Sequence, residues 1–132
     1  VCQVLIVEDS TDVRESLAGI VEGAGHTSHQ AANGREALRW LNEQQERPCI
    51  VLLDLRMPVM DGWDFLAALN ADPRWSDVSV IVISATIRRG APNPVLRAQA
   101  FWSKPPDPEK MEAIHQYCPQ HRESWPSAAA GS

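Results

Sequence analysis

Three short runs, Val4-Leu5-Ile6-Val7, Ile50-Val51-Leu52-Leu53 and Val80-Ile81-Val82-Ile83, contain no polar side chain. A strand with one face in water alternates polar and apolar residues, because successive side chains point to opposite faces. Runs without that alternation need cover on both faces, which is the pattern of a parallel sheet held between helices. The intervening segments supply helices. Ser10, Thr11 and Asp12 are N-cap candidates for a first helix, with Val13, Leu17, Ile20, Val21 and Ala24 on its inner stripe and Gly25 as its stop. Ala37, Leu38 and Leu41 mark a second helix ending before Pro48. Trp63 to Leu69 predicts a third, with Phe65, Leu66 and Leu69 inward and Pro73 closing the segment. Residues 27–31 read as a weak edge strand, and Val78 opens the run that forms the fourth strand. Ala100-Phe101-Trp102 reads as a short fifth strand with Trp102 in the core. Asp107 and Pro108 read as the N-cap and first residue of a last helix carrying Met111, Ile114 and Cys118. The expectation is an α/β fold: one three-layer α/β/α domain whose five-stranded parallel sheet has the flavodoxin-like order 2-1-3-4-5.

The polar residues at the strand ends carry the functional signal. The first strand runs into Glu8 and Asp9, the third into Asp54, the fourth into Ser84, and the fifth stops just before Lys104; the weak second strand ends on Ala31 and Ala32. A polar side chain where a chain leaves a sheet is ordinary on its own. In a parallel sheet, however, all these ends share one edge, and ligands of open α/β sheets bind there, where strand order reverses. The order 2-1-3-4-5 puts that point between strands one and three, so Asp9 and Asp54 are expected to face each other. Clustered carboxylates repel unless a proton or a cation intervenes. Glu8, Asp9 and Asp54 offer hard oxygen ligands of the kind that suit Mg²⁺. Lys104 adds a positive charge and Ser84 a hydroxyl. That set favours phosphoryl transfer onto a carboxylate over general acid–base work.

Composition removes several classes. The 132 residues suit one domain, and a net charge of −5 argues against direct nucleic-acid binding. No apolar run approaches the ~18 residues of a membrane span, and no signal peptide is evident, so a cytoplasmic location is expected. Cys2, Cys49 and Cys118 are odd in number and far apart, which argues against a disulfide framework; Cys49 is expected in a buried strand. His115, Cys118 and His121 are close in sequence, but Pro119 interrupts them and no second ligand pair accompanies them, so zinc is not expected. No phosphate-binding glycine loop follows the first strand. The domain is expected over residues 1–122, with 123–132 a tail or cloning remnant. The Val1 start and the SAAAGS end read as cuts in a longer protein or traces of cloning.

The stretches VLIVEDS (4–10), NGREAL (33–38), VLLDLRMPVMDG (51–62), VIVISAT (80–86) and FWSKPPDP (101–108) together resemble the response-regulator receiver domain of two-component signalling. The resemblance implies that Asp54 accepts a phosphoryl group from the phosphohistidine of a histidine kinase or phosphotransfer protein. It implies that Mg²⁺ is held by Asp9, Asp54 and the Arg56 main-chain carbonyl, with Glu8 acting through water. Lys104 would pair with the phosphoryl oxygens, and the Ser84 hydroxyl would move toward them. Phe101 is open to two readings, ordinary strand packing or an aromatic whose rotamer follows that movement. Pro105 matches a proline often preceded by a cis peptide bond. Met57 and Pro58 are expected to shape the loop presenting Arg56, and Gly62 to permit a close approach at the start of the third helix. A conformational switch would then signal to an output domain or partner protein.

The chain departs from the family pattern in two places. Ser10 stands where many relatives carry a third acid. In ATIRRGAPNPVLRAQA (85–100), Pro92 and Pro94 interrupt the segment where relatives usually have a fourth helix, and Arg97 replaces a glycine. A loop from about Thr86 to Pro92, followed by a short displaced helix, is expected there. Two rival functions compete with the phosphoacceptor. A degenerate receiver would bind protein partners without phosphorylation. An aspartyl-phosphate hydrolase commonly needs an acid two residues after its nucleophile, and that position holds Arg56. The domain is therefore expected to be a signalling phosphoacceptor rather than a classical enzyme.

Overall fold

The apolar runs form the centre of the molecule. In the computed structural model, which describes residues 3–43, 48, 50–54, 62–75, 77–84, 98–103, 106, 108–112 and 114–117, five strands make one parallel sheet. These are β1 (Gln3–Val7), β2 (Thr27–Ala31), β3 (Ile50–Asp54), β4 (Ser79–Ser84) and β5 (Ala100–Ser103), in the order β2-β1-β3-β4-β5. The helices are α1 (Thr11–Gly23), α2 (Gly34–Glu43), α3 (Gly62–Ala71) and α4 (Pro108–Glu112), with 3-10 turns at Pro73–Trp75 and Ile114–Tyr117. The 2-1-3-4-5 order and the weak edge strand are thus as the sequence predicts. Cys49, residues 85–97 and residues 118–132 lie outside the described residues, so the expectations for a buried Cys49, for the fourth helical segment and for the tail do too.

Side-chain alternation divides the core into two layers. Leu5, Val7, Val51, Leu53, Val80 and Val82 project to one face, where Ala37 and Leu41 of α2 and Phe65, Leu66 and Leu69 of α3 cover them. Val4, Ile6, Ile50, Leu52, Ile81 and Ile83 project to the other, against Leu17, Ala18 and Val21 of α1, Trp102, Met111 and Ile114. The absence of polar residues in the runs follows from this two-sided cover.

Local chemistry sets the helix ends. The Ser10 hydroxyl accepts from the Val13 N–H at 3.4 Å and caps α1. At the far end the Gly25 N–H donates to Glu22 O and the His26 N–H to Val21 O, a Schellman arrangement that requires Gly25 at φ 95°. At α2 the Asn33 Oδ1 accepts from the Glu36 N–H at 2.8 Å, and the Glu36 carboxylate accepts from the Ala32 N–H at 3.3 Å, a close relative of the capping box. Pro108 is the first residue of α4, where its missing N–H costs nothing.

Two apolar positions depart from their expected places. Ile20 is 40% exposed although its spacing puts it on the α1 stripe, and Ala24 is also exposed. Leu17, Ala18 and Val21 already fill the surface that α1 presents to the sheet, so the buried stripe is narrower than the apolar one. Leu17→Ala should therefore destabilise the fold by about 2–5 kcal/mol, while Ile20→Ala should cost less than about 1 kcal/mol. Urea midpoints at constant m-value measure both.

On the edge strand, His29 stacks on Trp40 of α2 with ring centroids 4.3 Å apart and planes inclined by 16°. Burial lowers the proton affinity of the imidazole below its usual value, and the Glu36 charge pulls the other way. Because the folded value is the lower one, the unfolded chain binds the proton more readily. Stability from this group is complete above the unfolded value of 6.5 and is lost as pH falls through the folded one. An NMR titration should place the His29 midpoint below 6.5, and Trp40→Ala, which strips off the covering ring, should raise it.

Candidate functional site

The site is assembled by two neighbouring strands that run in the same direction. β1 ends at Val7 and the chain leaves the sheet through Glu8 and Asp9, whereas β3 ends on Asp54 itself. Val7 lies opposite Leu53 in the register, so both strands deliver their acids to the same level of the carboxyl edge. One carboxylate oxygen from each of Glu8, Asp9 and Asp54 lies within 4.8 Å of the other two. Glu8 is 2% exposed and Asp54 7%, while Asp9 is open to solvent. Side-chain spacing alone could have scattered these groups; the register brings them together.

The residues fit a small divalent cation. Octahedral Mg²⁺ with metal–oxygen distances of about 2.1 Å sets neighbouring oxygens about 3 Å apart and opposite ones about 4.2 Å apart. A spread of up to 4.8 Å is wider by about half an ångström, which small side-chain rotations can close. All three ligands are oxygens, as Mg²⁺ prefers, and the exposed Asp9 leaves room for retained water. Among the described residues this is the one group of three acids, histidines or cysteines able to hold a metal. His115 sits in the 3-10 turn Ile114–Tyr117, and Cys118 and His121 lie outside the described residues.

The other expected site residues fall as follows. Ser84 is the last residue of β4, one past the Ile83 that pairs with Asp54, so its backbone reaches the same edge. It pairs in turn with Ser103, the residue before Lys104. Arg56, Met57, Pro58, Lys104 and Pro105 themselves lie outside the described residues. Gly62 is buried at the first position of α3. Phe101 is 41% exposed on β5, and its ring centroid lies 6.5 Å from that of half-buried Trp63, at an inclination of 36°. Trp102, its neighbour in sequence, is core as expected, at 5% exposure.

One residue that the motifs do not mark also reaches the site. Arg14 donates from Nη1 to the Glu8 main-chain carbonyl at 2.8 Å, from Nε to Gln30 Oε1 at 3.2 Å and from Nη2 to Thr11 Oγ1 at 3.3 Å. The available signal was its position. It follows the N-cap Ser10 by four residues and so stands one turn up the helix, above the point where the chain leaves β1.

The comparisons agree with this arrangement. The response regulator receiver domain family matches residues 4–116. The chain is 36% identical over 116 residues to "Response regulator Rre1" of Synechocystis, which covers 83% of this chain but 48% of that protein, so it spans about half the length of that relative. It is 30% identical over 118 residues to "Sporulation initiation phosphotransferase F" of Bacillus subtilis, covering 89% of this chain and 94% of the relative. The solved signal receiver domain of a signal transduction histidine kinase from Syntrophus aciditrophicus superposes with a TM-score of 0.78 at 28% identity, covering 96% of each chain. Chemotaxis protein CheY4 of Vibrio cholerae shares the fold with a TM-score of 0.75 at 24% identity, covering 89% of this chain and 98% of that one. With matching motifs, sheet order and acidic edge, the chain belongs to the response regulator receiver domain family of two-component signalling.

Proposed function

We propose that this domain is a phosphoacceptor: Asp54 takes a phosphoryl group from a phosphohistidine in a Mg²⁺-dependent reaction, and the phosphorylated domain signals to a partner protein or output domain. The observation that carries the reading is the convergence of the Glu8, Asp9 and Asp54 carboxylates at the carboxyl ends of adjacent strands. An Asp54 oxygen forms the new bond to phosphorus as the bond to the histidine nitrogen breaks, and the released imidazole keeps the electron pair. The product is an acyl phosphate. The roles of the neighbours follow from charge. Glu8, Asp9, Asp54 and the Arg56 carbonyl would hold Mg²⁺, with Glu8 acting through water. The bound ion would offset the repulsion between the acids and the incoming phosphoryl oxygens.

Lys104 and Ser84 are the proposed partners of the phosphoryl group, one by charge and one by hydrogen bonding. Both follow from the sequence positions at the same sheet edge. A phosphoryl group adds roughly 1.5 to 2 negative charges, so contacts with it differ between two conformations of the Ser84 and Lys104 segments and shift their balance. Phe101, exposed on the adjacent strand, is the proposed reporter of that shift. The partners are a histidine kinase or phosphotransfer protein upstream and a protein surface or output domain downstream. No helix among the described residues is long and apolar enough to cross a membrane, and the domain is proposed to act in the cytoplasm.

A small phosphodonor such as acetyl phosphate tests the reading. It should label the chain in the presence of Mg²⁺, and chelation with EDTA should abolish labelling. Asp54→Asn should lose the label while keeping its far-UV circular dichroism and cooperative unfolding. Labelling that survives Asp54→Asn, or that ignores Mg²⁺, would refute the assignment; a folded chain that neither binds Mg²⁺ nor takes label would instead be a protein-binding receiver.

A further inference from the structure

We infer that Arg14 is a positioning residue for the divalent-cation site, acting through the peptide that joins Glu8 to Asp9; the inference rests on the Mg²⁺ reading above. The main chain at that point is held from both sides. The Glu8 N–H donates to Ala31 O of β2 at 3.1 Å, and the Glu8 carbonyl accepts from Arg14 Nη1 at 2.8 Å. The carbonyl carbon so anchored is bonded directly to the Asp9 nitrogen. Its orientation sets where the Glu8 side chain leaves the sheet and where Asp9, exposed and without the packing that fixes Glu8, starts from.

The guanidinium is itself fixed. Its planar fork spreads three donors over three acceptors on different elements: the exit of β1, Thr11 at the start of α1 and Gln30 on β2. Lysine carries its three donors on one nitrogen and does not reproduce this spread. The cluster therefore ties the β1–α1 connection to the edge strand. Mg²⁺ tolerates little departure from octahedral geometry, so freedom in this peptide should appear as weaker binding.

Charge makes the opposite demand. A guanidinium near a cation site repels the cation, so if Arg14 acted only through its charge, its removal would tighten Mg²⁺ binding. Positioning and charge thus predict effects of opposite sign, and a merely structural role predicts a change in stability with no change in affinity.

The experiment is isothermal titration of Mg²⁺ into the full chain, alongside urea unfolding without metal. Arg14→Gln should raise the Kd about 10-fold or more, the usual scale for groups that orient metal ligands. Arg14→Lys, which keeps the charge but gathers its donors on a single nitrogen, should fall between Arg14→Gln and the unaltered chain. An unchanged or tighter Kd for folded Arg14→Gln overturns the inference while leaving the Mg²⁺ reading intact. Absence of Mg²⁺ binding by the unaltered chain overturns both. Should Arg14→Gln fail to fold, Gln30→Ala carries the test, because it keeps the charge and loosens its anchor: a weaker Kd supports positioning, and one that is unchanged or tighter overturns it.

Discussion

The register between β1 and β3 is the constraint on which the rest depends. Opposite pairing of Val7 with Leu53 brings Glu8 and Asp54 to one level, both nearly out of contact with water. One carboxylate oxygen of each lies within 4.8 Å of the other. A register slip of one residue would turn the strand's side chains to the opposite face and separate the acids. That slip is blocked by the core, since it would exchange the residues covered by α2 and α3 with those covered by α1. The same apolar packing that stabilises the sheet therefore brings the three acids to one place, where they could hold a cation.

The two-layer core holds that register firmly. Val4 to Val7 and Ile50 to Leu53 are each at most 1% exposed. Burying a side chain of this kind contributes about 1.5–3 kcal/mol before entropy is counted. Several such residues on each strand fix the register that sets the acids side by side. Asp9, left in solvent, adds less repulsion than a third buried acid would. The site is thus graded from a buried floor of Glu8 and Asp54 to an open rim, which is the side from which a phosphoryl donor could approach.

Much of this was legible in the sequence because it depends on period and on strand ends. Uninterrupted apolar runs gave the two-sided sheet, and the acids at their carboxyl ends gave the site. Phe65, Leu66 and Leu69 face the core as their spacing predicts. What escaped depends on three-dimensional surface area and on long side chains. Ile20 has the helical spacing of a core residue, but spacing does not record how wide a stripe the sheet can cover. Arg14 has no motif, because its acceptors are a main-chain carbonyl, a hydroxyl one turn away and a glutamine sixteen residues on in another strand. Strand alternation does not say which face of an edge strand is covered, so the sequence does not distinguish the surroundings of Phe101, which is exposed, from those of buried Trp102 next to it.

The surroundings of the acids differ in stiffness from one side of the sheet to the other. On the β2 side, the Glu8 peptide is bound at both its N–H and its carbonyl, and the Arg14 fork links three elements. On the β5 side, the outermost strand carries a Phe101 that is 41% exposed and meets Trp63 at a tilted 6.5 Å contact. An aromatic ring with that much of its surface in water gives up little packing when it rotates, whereas moving the main chain at Glu8 would break one main-chain and one charge-assisted hydrogen bond. On the proposed phosphorylation, a charge added at Asp54 would meet a firmer wall toward β2 than toward β5. A conformational response would then propagate toward β5, leaving the proposed metal ligands in place while the surface changes.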